Sequence, residues 1–173
     1  AFVAPTAFFY QAPIFRELAA DPRIDLMVYF CSDEAISGED VRKRFQTNEH
    51  WGDTEKTLRG YKYKFLRNYS PFPSYLWWPF GLMNFGIWRE LKTTKPDAVV
   101  IMSWVNVTDI ITITASQVFR SPFFLLTDAN IQAESQKPKW VICIKNLVLK
   151  NFIFKIAAGF LYSGTANKLL YQS

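Results

Sequence analysis

The sequence predicts an α/β protein built on an open, mainly parallel sheet with helices on both faces. Two observations predict it. Apolar runs at Asp97–Ser103 (DAVVIMS), Pro122–Asp128 (PFFLLTD) and Ala158–Ser163 (AGFLYS) each end in small polar residues. Each is also followed by a segment able to form a helix, and such alternation implies parallel strands joined by crossover helices. Sheets of this kind bind ligands at the carboxyl ends of their strands, where these polar residues gather.

The elements follow in order. Phe2-Val3-Ala4-Pro5 reads as the end of a first strand, and Pro5-Thr6 turns the chain. Gln11–Ala20 reads as a helix with Ile14, Phe15 and Leu18 on its apolar face, stopped by Asp21-Pro22. Ile24–Cys31 is near-continuously apolar, as a buried parallel strand requires. The segment Ser32–Asn68 is the least regular and carries eight basic residues, among them Lys62 and Lys64 in Tyr61–Leu66, which alternates like a strand with a solvated face. Tyr69–Phe80 is a loop rich in proline and aromatic residues. Asn84–Lys92 reads as a helix with Ile87, Trp88 and Leu91 on one side. Strands are expected at Ala98–Met102, Phe123–Thr127 and Ala158–Ser163, and helices at Thr108–Phe119, Trp140–Ile156 and Thr165–Gln172.

At 173 residues the natural expectation is one domain, residues 1–173. Half the residues are hydrophobic and 20% are charged, which excludes a disordered chain. Aromatic residues make up 17%, more than one small domain readily hides, so some are expected to face a partner, a membrane or a ligand. The net charge of +5 and pI near 9.2 suit anionic partners without selecting one. The basic residues follow no nucleic-acid-binding motif, so no nucleic-acid partner is expected. Cys31 and Cys143 stand in apolar settings and read as buried free thiols. Ala1–Pro5 has neither a basic start nor a cleavage pattern, so no signal peptide is expected. Ala98–Phe119 lacks Lys and Arg but includes Ser103, Asn106 and Asp109, which favour a strand, loop and helix over a membrane span.

Sharp catalytic signatures are absent from the sequence: no Gly-x-Gly-x-x-Gly, no phosphate-binding Walker loop, no Gly-x-Ser-x-Gly, and no Cys/His spacing for a metal. The single histidine, His50, lies in the irregular basic region. The candidates are therefore the polar residues at strand ends. Trp104, Asn106, Asp128 and Asn130 are expected to contact a ligand in the cleft, and Gly164 and Thr165 to offer backbone N–H groups to an anion. Some of the polar residues at these strand ends have a structural alternative. Asp109 and Thr165 also suit helix amino termini, and Asp128 and Asn130 also suit turns. The helix Trp140–Ile156 and the loop Pro71–Phe80 raise a further expectation, contact with an anionic membrane surface.

Gln11–Ala20, Ile24–Asp33, Asn84–Ser103, Pro122–Ala133 and Ala157–Gln172 together resemble the N-terminal, acceptor-binding lobe of a family-four glycosyltransferase of the two-lobe GT-B type, a Rossmann-like lobe. The resemblance implies a retaining enzyme that works without a metal or cofactor. A glycan or lipid-linked acceptor would bind this lobe. The nucleotide-sugar would bind mainly a C-terminal domain that lies outside the 173 residues, leaving this lobe inactive alone. Assembly of a surface polysaccharide or glycolipid, in the cytoplasm or at the inner face of a membrane, is the implied setting. The loop Pro5–Tyr10 lacks the glycine pair of many members, and Ser103–Asn106 lacks their histidine. No catalytic residue is assigned. The alternative from a different class is a stand-alone, non-catalytic α/β binding domain.

Overall fold

Short apolar runs with β-branched and aromatic residues form the strands, and in a computed structural model they assemble into one six-stranded parallel sheet. The structure describes residues 1–37, 54–126, 149–162 and 164. The strands are β1 (Phe2–Thr6), β2 (Met27–Ser32), β3 (Lys62–Phe65), β4 (Val99–Ile101), β5 (Phe123–Leu126) and β6 (Gly159–Leu161). The helices are α1 (Ala12–Ala20), α2 (Glu34–Ser37), α3 (Thr54–Leu58), α4 (Gly86–Thr94), α5 (Val107–Phe119) and α6 (Phe154–Ile156), the last continuing a π-helical turn at Leu149–Ile153.

The strand order is β3-β2-β1-β4-β5-β6. The chain starts at the centre, runs outward to β3, returns across the sheet to β4 and runs outward the other way. Right-handed crossovers on the two halves then place their helices on opposite faces. The register puts Phe2 beside both Val28 and Val100, so β1 and β4 are neighbours at the reversal.

The period-2 pleat divides the core accordingly. On one face Phe2, Ala4, Val28 and Phe30 pack with Phe15 of α1. On the other, Val3, Tyr29, Val99, Ile101, Phe123 and Leu125 pack with Ile87 and Leu91 of α4 and Ile113 and Ala115 of α5. The six strands and the helices α1, α4 and α5 agree in kind with expectation and differ at their ends. Pro5 and Thr6, expected to turn the chain, belong instead to β1, and α2 and α3 lie in a segment where no helix was expected. Ile24 and Asp25 precede β2 in irregular backbone, and Asn84 lies before α4. Ile14, expected in the apolar face of α1, is 56% exposed, whereas Phe15 is buried. The helix expected at Trp140–Ile156 is described only from residue 149, and that expected at Thr165–Gln172 lies outside the described residues.

Two helices end in the left-handed region without glycine. Lys95 (φ 43°) caps α4, its N–H donating to the Leu91 carbonyl at 3.0 Å. Arg120 (φ 58°) caps α5. At the β3 end of the sheet, Lys62 pairs with Asp25 at 2.6 Å and Lys64 with Glu90 at 2.8 Å.

Candidate functional site

The carboxyl ends of β1, β2 and β4 meet at one edge, and their outgoing chains build it. The chain leaves β1 without a glycine. Phe8 N–H donates to Thr6 O and Gln11 N–H to Phe8 O, both at 3.1 Å, forming a 3-10 turn (Phe9–Gln11) that enters α1. Thr6 is buried, and its Oγ1 accepts the Ala35 N–H at 3.1 Å, joining the end of β1 to α2.

Past β2, the Glu34 carboxylate accepts Ser74 Oγ–H at 2.9 Å and Tyr75 N–H at 3.1 Å. It fixes the aromatic loop to this edge. Phe8 stacks with Tyr10 (5.2 Å between centroids) and meets Tyr75 edge-on at 5.5 Å. The loop is held from its other side by Asn68, whose Nδ2 donates to Gly81 O and whose Oδ1 accepts Ser70 and Met83 N–H groups. The outer loop is nonetheless bare: Trp77 and Trp78 are 65% and 66% exposed, and Phe72 and Phe80 are similarly open.

Past β4, Asn106 is the N-cap of α5 and Asp109 its third helical residue. Asp109 Oδ2 accepts Asn106 N–H at 2.9 Å and Asn106 Nδ2–H at 3.1 Å. Burial pushes the Asp109 carboxyl above its ordinary 3.8, against the opposing hydrogen bonds from Asn106, Ser103 and Val105. Burial, and secondarily the charge of Asp109, pushes the Cys31 thiol well up, so it is not an activated nucleophile. Among the described residues no three His, Cys, Asp or Glu side chains converge on a metal position.

Of the expected site residues, Trp104 and Asn106 sit together at the β4 end. Trp104 is half-buried against the core face shared with α5. Asn106 is buried, with its N–H and Nδ2 committed to Asp109. Gly164 is exposed, with open space where a side chain would stand. Asp128, Asn130 and Thr165 lie outside the described residues, as do His50 and Cys143.

Two residues of this edge escaped sequence reasoning. Glu34 gave no signal, since its partners stand forty residues away. Gln11 looked like the first residue of an ordinary helix. It is 4% exposed, and neither its Nε2 nor its Oε1 has a hydrogen-bond partner. No family model matches the chain, and neither does any curated protein or solved structure.

Proposed function

We propose that the chain is the acceptor-binding lobe of a two-lobe glycosyltransferase, taking a glycan or lipid-linked acceptor at the carboxyl edge of its sheet. The observation that carries this reading is the strand order, which reverses between β1 and β4. At such a reversal the outgoing helices diverge and leave a crevice, the usual ligand position in open α/β sheets. Trp104 and Asn106 follow β4 at the carboxyl edge of the sheet, and the rings of Phe8, Tyr10 and Tyr75 gather at the ends of β1 and β2. The resemblance to family-four enzymes adds the reaction class. Sugar would pass from a nucleotide-sugar held by a second domain to an acceptor held here, and the lobe alone would not turn over. Cytoplasmic placement, peripheral to a membrane, belongs to the same proposal. The peripheral part of it is supported by the bare tryptophans Trp77 and Trp78.

The test is transfer of radiolabelled sugar from UDP- and GDP-sugars to a lipid extract, by the full natural polypeptide that carries this segment and by the 173 residues alone. Labelled product with the former and none with the latter is the expected result. No product with any donor retires the transferase reading in favour of a non-catalytic α/β binding domain. Turnover by the 173 residues alone contradicts the two-lobe requirement.

A further inference from the structure

The two halves of the aromatic loop are held in different ways. The half nearest α4 is bonded to the core. Pro79 O accepts the Val107 N–H at 3.0 Å and Leu82 O accepts the Thr108 N–H at 3.2 Å, both from the start of α5. Met83 O accepts the Tyr69 N–H, and Asn68 Oδ1 accepts the Met83 N–H at 2.9 Å. Gly81, Leu82 and Asn84 are buried in this half. The other half, Pro71–Trp78, is exposed except at Ser74 and Tyr75. Those two residues seat it. The Glu34 carboxylate accepts from both, and the Tyr75 ring meets Phe8 edge-on and rests against the core. This half is also bonded within itself: the Trp77 N–H donates to Ser74 O at 3.2 Å, and the Phe72 and Trp77 rings stack at 5.6 Å. Residues 68–88 contain no charged side chain, so the charge at the seat is supplied from outside the loop, by Glu34.

We infer that Pro71–Trp78 is a lid over the ends of β1 and β2, hinged at Ser70 and Phe80, with Glu34 as its latch. A segment that is bonded within itself and anchored firmly on one side swings as a body. Segments with few buried contacts open far more readily than the whole fold unfolds, and lids are drawn from such segments. Hydrogen bonds to a carboxylate are among the stronger ones, so one side chain of α2 is enough to hold the lid shut. Opening parts Tyr75 from Phe8 and bares the chain leaving β1; closure covers it again. The lid controls entry to this part of the edge whatever ligand the edge takes, so it stands apart from the transferase reading.

The test is amide hydrogen exchange, read by NMR, on the chain and its Glu34→Ala and Glu34→Gln variants, at urea concentrations below the unfolding transition. In the unmodified chain the Tyr75 amide should exchange about a hundredfold or more faster than those of Met83 and Thr108, and with little dependence on urea, the mark of a local opening. Glu34→Ala should speed Tyr75 exchange about tenfold or more, because two hydrogen bonds to a charged acceptor are lost. Exchange at Met83 and Thr108 and the melting temperature should hold in that variant. Glu34→Gln keeps an acceptor oxygen and should recover part of the protection. The nuclear Overhauser cross-peak between the Phe8 and Tyr75 rings should weaken in Glu34→Ala as the tip lifts. Four results would each overturn the inference. They are Tyr75 exchange with the rate and urea dependence of Met83, no change at Tyr75 in Glu34→Ala, all three amides quickening together in that variant, or a Phe8–Tyr75 cross-peak that keeps its full strength there.

Discussion

Asn84 and Thr108 exchange two hydrogen bonds in the core. Thr108 Oγ1–H donates to Asn84 Oδ1 at 2.8 Å, and the Asn84 N–H donates back to Thr108 Oγ1 at 2.9 Å. The Asn84 Nδ2 also donates to the carbonyls of Cys31 at 2.8 Å and Leu66 at 3.0 Å. One side chain therefore ties the ends of β2 and β3 to the start of α5. Asn84→Ala strands buried groups on three elements and should cost about 3 kcal/mol. Urea unfolding checks it: the midpoint should fall with little change in the slope. Thr108→Val, which keeps the shape, should cost about 1–2 kcal/mol, and the double variant less than the sum, because the partners are shared.

The carboxyl of Asp109 should give stability an unusual pH dependence. Its folded pKa is raised by burial, so the protonated form is favoured in the fold. The contribution is fully present below the unfolded value of 3.8 and is lost as pH rises through the raised folded value. Asp109→Asn keeps an oxygen for the Asn106 N–H and removes the titration. Thermal melts of both proteins across pH 3 to 7 should show the unmodified chain losing ground to Asp109→Asn as pH rises. The exposed pairs Asp21–Arg23 and Asp25–Lys62 depress their carboxyl pKa values, act with the opposite sign, and cancel in the comparison. A constant difference between the two proteins would refute the assignment.

Two glycines should answer oppositely to alanine. A Cβ on Gly81 would stand 2.6 Å from the Trp77 carbonyl oxygen, inside a turn that the Gly81 N–H itself closes onto that oxygen. Gly81→Ala should destabilise by about 2–3 kcal/mol, since backbone must move. Gly86 opens α4 with nothing within 4 Å of its missing side chain. Gly86→Ala should stabilise by about 0.5 kcal/mol. Melting temperatures moving in the same direction would contradict this packing.

If the bare aromatic loop meets lipid, its outer rings should carry the affinity. Trp77→Ser with Trp78→Ser should reduce sedimentation with phosphatidylserine vesicles about tenfold or more. The melting temperature should hardly change, because both side chains are open to solvent. With a net charge of +5, binding to neutral vesicles should be weaker and the difference should vanish in high salt. No association of the unmodified chain with anionic vesicles would end this reading.

The fold was legible because its signals are local and periodic. Runs such as VVI at 99–101 and FFLL at 123–126 are strands by β-branching or apolarity, and Val107–Phe119 between them is a helix by its spacing. Strand order was not legible: nothing in Val3 says that Ile101 lies beside it. The site was legible only where a residue type announces its role. Asn106 and Asp109 have helix-start spacing and act as one. Asn84, expected as the first residue of a helix, is instead a link between elements, because its partners at Cys31, Leu66 and Thr108 are distant in sequence. Gln11 failed for a similar reason: burial without a partner is a property of three dimensions.

The two lysines of β3 have a further consequence. Among the described residues β3 ends the sheet, and the outermost strand of any sheet exposes backbone groups that a second molecule could pair with. Lys62 and Lys64 are exposed there and are anchored by Asp25 and Glu90. An incoming strand would have to strip water from two ammonium groups before forming its ladder. At the opposite margin β6 is only three residues long, too short to template much. Both margins thus discourage one copy from zipping onto the next, a safeguard against aggregation in a chain this rich in aromatic residues.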